Sequence, residues 1–245
     1  MSEPAATAAT AAAESSPKPK ILCLHGFAES AEIFKIRSRN IRGLVGDHAE
    51  MVYLDGPLDV GNLRFTAEDF VKPKQNPFTN LAWWWWKTTG QRSELRGLGD
   101  TLEKLANVLN EQGPFDGILG FSQGAALAIL LAEMLQEGSS HEYLKFPKPV
   151  EHPQFKFVIL AGAFGVEPEE YQGIYDTKLN VPSLHMTGEY DTVIETKRSR
   201  KMMEVFVDPV VFEFRGGHFI PQTPECLRVV RSFLLPFIPD LEAEQ

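Results

Sequence analysis

The pentapeptide Gly120-Phe121-Ser122-Gln123-Gly124 constrains this chain more than any other stretch. It reads Gly-x-Ser-x-Gly. Ahead of it runs the short segment 115–119, of strand length. Behind it, residues 125–136 are rich in Ala and Leu, which are strong helix formers. Ser122 is therefore expected on a strand-to-helix turn, the context that separates a nucleophile elbow from a chance pentapeptide. The flanking glycines allow a turn too sharp for side chains, with strand and helix in close approach. The helix that follows aims its first N–H groups and its positive dipole end at the serine hydroxyl, where an oxyanion can be held. A Gly-rich turn opening a helix could instead hold a phosphate. Here there is no Gly-x-Gly-x-x-Gly, and no Lys-Ser/Thr pair closes the turn, so the dinucleotide and P-loop patterns do not fit.

The rest of the chain repeats the strand-then-helix alternation. Strands are expected at 20–24, 51–54, 155–160, 181–187 and 210–214, with helices at 30–45, 93–112, 193–206 and 224–237. This pattern predicts an α/β fold, a mainly parallel sheet with helices on both faces. The active site of such a sheet lies outside the carboxyl ends of its strands. Residues 1–19 are Ala-, Thr-, Ser- and Pro-rich and are expected to form a disordered tail, with neither a secretory signal nor a mitochondrial presequence. The domain is expected over 20–238, with a long aperiodic insertion at 58–90 and a short tail at 239–245. An aperiodic stretch of that length in a compact domain is usually functional or mobile.

Composition narrows the partners. A net charge of −9 argues against nucleic acid, whose binders carry a basic face. No apolar run reaches the ~18 residues of a membrane span. Cys23 and Cys226 do not make a disulfide framework, and Cys23 is expected as a buried thiol; a cytosolic protein, with the nucleus still open, is the expectation. No Cys/His cluster or His-Glu-x-x-His motif suggests a metal.

A serine hydroxyl needs an adjacent base, and a histidine base needs a carboxylate to fix its tautomer. His218 follows Gly216-Gly217 after the last expected strand and is the candidate base. His48, His141, His152 and His185 are read as loop or core residues, and His25 as support for the turn after the first strand. Asp191 follows the penultimate strand and is the candidate acid, with Glu189 as runner-up. The order Ser122, Asp191, His218 is that of α/β-hydrolases. The backbone N–H groups of Gln123 and Phe27 are the candidate oxyanion donors.

These motifs together resemble the FSH-type (family of serine hydrolases) α/β-hydrolases, a group that includes relatives of the human ovarian-cancer-associated esterase. The resemblance is carried by Leu24-His25-Gly26-Phe27, Tyr53-Leu54-Asp55-Gly56-Pro57, residues 113–126, Gly188 to Asp191, and Gly216-Gly217-His218-Phe219-Ile220-Pro221. It implies a Ser122-His218-Asp191 triad, no cofactor, and activity on carboxylic esters or thioesters. Some members prefer longer acyl chains and others release polyketides as thioesterases.

Trp83-Trp84-Trp85-Trp86 lies outside these motifs. In a strand, Trp83 and Trp85 would share one face and Trp84 and Trp86 the other. One pair is expected in the core, and the other along an apolar acyl channel as substrate-binding residues. The alternative functions are a non-catalytic binding protein on a hydrolase fold and a scaffold that recruits partners through the tryptophans.

Overall fold

A computed structural model of the chain describes residues 17–61, 80–89 and 92–243. The expected disordered tail falls almost wholly outside these residues, as does most of the 58–90 insertion. In chain order the elements are β1 (Lys20–Leu24), α1 (Ala31–Arg37), α2 (Arg39–Val45), β2 (Glu50–Leu54), β3 (Leu58–Asp59), β4 (Leu81–Ala82), β5 (Trp85–Thr89) and β6 (Arg92–Arg96). They continue with α3 (Leu98–Gln112), β7 (Gly117–Phe121), α4 (Gln123–Met134), β8 (Phe157–Ala161), β9 (Ser183–Gly188), α5 (Thr196–Met203), β10 (Val210–Phe214) and α6 (Pro224–Leu234). Short 3-10 helices occupy Glu169–Tyr175 and Pro239–Ala243. Leu241 of the second is buried, so the expected C-terminal tail packs onto the domain as far as that turn.

Six strands form a sheet in the order β10-β9-β8-β7-β1-β2, every neighbouring pair parallel. The period-2 alternation of side chains divides the core into two layers. Leu22, Leu24, Ile118, Val158 and Leu160 face one way and pack with α3 and α4. Ile21, Cys23, Leu119, Phe121, Phe157 and Ile159 face the other and pack with α1, α2 and α6. Helices on both faces of a parallel sheet make the chain an α/β-hydrolase fold, as expected. Cys23 and Cys226 are buried and unpaired.

From β1 the chain first adds β2 on one side, then crosses back to β7 and builds outward to β10. The order therefore reverses between β1 and β7. The crevice above that reversal is where ligands bind in open α/β sheets. The turn after β1 holds Phe27, and the turn after β7 holds Ser122.

Two expected helices are corrected. The single helix at 30–45 is two helices, because Ser38 turns its hydroxyl back onto the Phe34 carbonyl (2.8 Å) at φ −98°, ψ 14°. The helix expected from 93 starts only at Leu98. Arg92–Arg96 is a strand paired antiparallel with Trp85–Thr89. Gly97 then takes φ +80°, where a Cβ would meet Leu58 at 2.4 Å, and this glycine separates strand from helix.

Candidate active site

Ser122 sits between β7 and α4 at φ 53°, ψ −116°, a backbone region that L-residues avoid. The crowding at the elbow explains why that conformation persists. A Cβ at Gly120 would stand 2.4 Å from the Gly124 carbonyl oxygen, and one at Gly124 would stand 2.1 Å from that of Leu24. The start of α4 thus presses on the end of β1 and brings the 25–27 turn beside the serine. Ala28, in the same turn, also has positive φ (58°).

The loop after β10 carries His218 over the serine. The Ser122 hydroxyl donates to His218 Nε2 (2.8 Å), and His218 Nδ1–H donates to Asp191 Oδ2 (2.7 Å). The other oxygen of Asp191 accepts from the backbone N–H groups of Val193 (2.9 Å) and Ile194 (2.8 Å). Asp191 is 8% exposed, so its carboxylate is held from both sides. The ring of Phe121 lies 4.9 Å from that of His218. Gly162, at φ +60°, passes so near that a Cβ there would be 2.9 Å from His218 Cε1. Glu189, the runner-up, points away, 3.9 Å from Arg215 and half exposed. Among the described residues neither the Phe27 nor the Gln123 backbone N–H has an acceptor. Both remain available to a ligand oxygen.

A family model described as serine hydrolase (FSH1) matches residues 15–230. The chain belongs to this serine hydrolase family. Esterase OVCA2 of Bos taurus is 34% identical over 90% of this chain and 97% of its own length. The human Esterase OVCA2 is 32% identical over 89% and 96%. The chain spans about half the length of two Schizosaccharomyces pombe relatives. One is named dihydrofolate reductase, 33% identical over 88% of this chain and 46% of that one. The other is an uncharacterized hydrolase, 33% identical over 90% and 52%. Among solved structures, acyl-protein thioesterase 2 of Zea mays superimposes with a TM-score of 0.60 at 19% identity, covering 91% of this chain and 95% of that one. At that identity the likeness is one of fold.

The turn after β1 in this member of the family has a buried carboxylate that sequence reasoning missed. Glu29 is 6% exposed. Its Oε2 accepts from the Gly26 N–H (3.2 Å), and its Oε1 meets the Arg37 guanidinium (3.1 Å). Burial raises its carboxyl above the ordinary value, against the pull of Arg37, the Gly26 N–H and His218. A lone charge inside an otherwise apolar turn was the signal available. Gly162 was also missed.

The tryptophan run differs from expectation. It is not one strand: Trp83 and Trp84 lie between β4 and β5, and both are fully buried. Trp83 donates its indole N–H to the His25 carbonyl (2.9 Å) and its backbone N–H to Gln123 Oε1 (3.0 Å). Thr101 Oγ1 donates to its carbonyl, and Gln123 Nε2 donates to the Trp84 carbonyl (2.7 Å). The Trp83 indole and the backbone of both residues brace the turns around Ser122, and both side chains are shut off from solvent in this structure. Trp85 packs against the small cluster of Leu58, Val60 and Ala82. Trp86 is half-buried, edge-on to Trp84 (5.8 Å) and 5.9 Å from Phe164.

Four other histidines have structural partners away from the triad. His152 Nε2 accepts from the Phe115 N–H (2.7 Å), and His141 pairs with Glu133 (2.9 Å). His25 accepts from the Gly56 N–H at Nε2 (2.8 Å) and donates from Nδ1 to the Gly26 carbonyl (2.7 Å). His185 is buried edge-on to Phe206. Burial lowers both His25 and His185 from 6.5 to about 4. Below pH 6.5 the unfolded chain therefore binds protons that the folded chain refuses. Stability is full above that pH and is lost as pH falls toward 4. The melting temperature is expected to fall from pH 7 to pH 5, and His185→Phe to make that fall shallower by up to one proton's worth, ~1.4 kcal/mol per pH unit. An identical pH slope in the variant would show that His185 is not buried neutral.

Proposed function

We propose that this chain hydrolyses carboxylic esters or thioesters of apolar acyl groups through an acyl-enzyme on Ser122. The observation that carries this reading is the continuous relay of Ser122, His218 and Asp191 at 2.8 and 2.7 Å on a strained elbow. His218 Nε2 takes the hydroxyl proton as Ser122 Oγ attacks the carbonyl carbon. The oxygen, now negative, receives the N–H groups of Gln123 and Phe27. As the intermediate collapses, the bond to the leaving oxygen or sulfur breaks, and His218 delivers its proton to that atom. Water then adds to the acyl-serine with His218 again as base, and the acid and free serine are released. Asp191 holds the imidazole in the tautomer that leaves Nε2 free to accept, and offsets the charge of the imidazolium.

The apolar acyl preference is read from an apolar wall proposed along Gly162, Phe164 and Trp86: Gly162 lies against the His218 ring, and Phe164, two residues on, meets Trp86 at 5.9 Å. Each methylene buried along it contributes up to ~0.8 kcal/mol. Thus kcat/KM is expected to climb with acyl length from acetyl to about octanoyl and then level off, and Trp86→Ala to flatten the climb. Hydrolysis of an acyl series by both proteins tests this. Equal rates on acetyl and octanoyl esters in the wild type would remove the acyl preference. A parallel series of thioesters of the same acids separates esterase from thioesterase action.

A further inference from the structure

Beside the wall formed by Trp86 and Phe164 lies a second feature, of opposite polarity. In a chain of net charge −9, helix α5 carries Lys197, Arg198, Arg200 and Lys201 within eight residues. Two of these cations reach a pocket of about 250 Å³ floored by Val166, Tyr175 and Met202. Arg200 is not one of them, because both oxygens of Glu213 engage it (2.8 and 2.9 Å). The Arg198 guanidinium lies over the Phe164 ring, 5.3 Å from its centre, and gives one N–H to Glu167 (2.8 Å). A stacked guanidinium keeps its remaining edge donors for a second acceptor. Lys201 has no carboxylate within ion-pair distance among the described residues. The charges at the pocket are thus two positive and one negative, with Glu167 the competitor for Arg198.

The pocket lies close along the chain to the candidate active site. Gly162, in contact with the His218 ring, and Gly165, in the pocket lining, are three residues apart. Three residues span at most ~10 Å. The aromatic contact from Trp86 to Phe164 to Arg198 follows the same route. At this volume the pocket is smaller than the ~300 Å³ and upwards that whole ligands occupy. It suits the end of a molecule whose reacting group lies elsewhere.

We propose that this pocket is a specificity subsite for an anionic group, a carboxylate or a phosphate, carried by the substrate on the order of 10 Å from the reacting carbonyl. The proposal rests on the ester or thioester reading of Ser122. Apolar atoms of the substrate lie along Trp86 and Phe164, and the anion takes the free edge of Arg198 and the Lys201 ammonium. Charge-assisted hydrogen bonds of this kind are short and strong, and salt weakens them where solvent reaches. The anion could arrive on the far end of the acyl chain or on the leaving group.

The test measures binding rather than turnover, so it stands whether or not Ser122 proves to be the nucleophile. Ser122→Ala protein is titrated calorimetrically with monomethyl nonanedioate, which keeps one carboxylate, and with neutral dimethyl nonanedioate. A second pair is octanoyl-coenzyme A, which bears phosphates on the leaving group, and neutral octanoyl-N-acetylcysteamine. The anionic member of at least one pair is expected to bind about tenfold more tightly at low salt, the advantage shrinking at high salt. Preference in the first pair places the anion on the acyl chain; preference in the second places it on the leaving group. Adding Arg198→Gln or Lys201→Ala is expected to bring the ratio toward one, and adding Glu167→Gln to raise it. Opposite responses to opposite charge changes cannot arise from misfolding. Equal binding within both pairs overturns the proposal, and so does a preference that none of the three substitutions moves.

Discussion

Ser122→Ala and His218→Ala are each expected to lower kcat on a simple ester by about 10³-fold or more, with the fold intact. Neither side chain fills core volume: the serine is at a turn, and His218 is on a loop over it. What each variant loses is a step of the relay. Without Oγ no acyl-enzyme forms, and without the imidazole the hydroxyl keeps its proton. Because the two act as one unit, the double variant is expected to be little worse than either single one. Asp191→Asn retains the shape and the Val193 and Ile194 contacts, yet an amide can present N–H to Nδ1 and favour the wrong tautomer. Its loss is expected to approach that of the serine variant. Glu189→Gln is expected to change little, since Glu189 is half exposed and turned toward Arg215. Steady-state kinetics on the four variants decides among these roles. An inactive Glu189→Gln beside an active Asp191→Asn would reverse the assignment of the acid.

Trp83→Ala is expected to destabilise the fold by about 3–5 kcal/mol, the usual range for a fully buried aromatic cut back to alanine. In a chain of this size that corresponds to a fall in Tm on the order of 10 °C. The loss combines several causes. A large indole leaves the core, and the His25 carbonyl loses the N–H that it accepts at 2.9 Å. His25 heads the turn that carries Phe27, so activity is expected to fall as well. Trp86→Ala removes only a half-buried ring and is expected to cost clearly less stability. Thermal unfolding of the two variants side by side measures the difference. Equal losses would mean that Trp83 does not brace the turn as described.

The elbow and its partners were legible because each is a local signal. Gly120 and Gly124 are dictated by contacts of 2.4 and 2.1 Å that no side chain could occupy, and such glycines print directly into sequence. His218 and Asp191 were legible by position, each just beyond a strand end in a parallel sheet. The errors came where distant packing decided between equal local readings. Leu95 fits the spacing of the α3 leucines, yet it sits in a strand, because Arg92–Arg96 pairs with Trp85–Thr89. Pattern alone cannot supply a partner strand. The tryptophans alternate only if the run is extended throughout, and hydrogen bonds from Gln123 and Thr101 hold its first two members outside any strand. Glu29 was overlooked for a related reason, although its place among apolar neighbours was a signal. A glutamate in a turn reads as solvated, and only the fold shows it buried against the Gly26 N–H. The pocket of Arg198 and Lys201 likewise exists only once α5 and the loop after β8 meet.

Covalent capture of the nucleophile decides whether Ser122 carries the reaction. A fluorophosphonate reacts with a serine only where a base activates the hydroxyl and donors hold the developing oxyanion. After treatment of wild type, His218→Ala and Ser122→Ala, intact mass and peptide mapping would be compared. One adduct is expected on the peptide that contains Ser122 in the wild type, with greatly slowed addition in His218→Ala and none in Ser122→Ala. An adduct on another residue, or labelling of Ser122→Ala at the wild-type rate, would rule out Ser122 as the nucleophile.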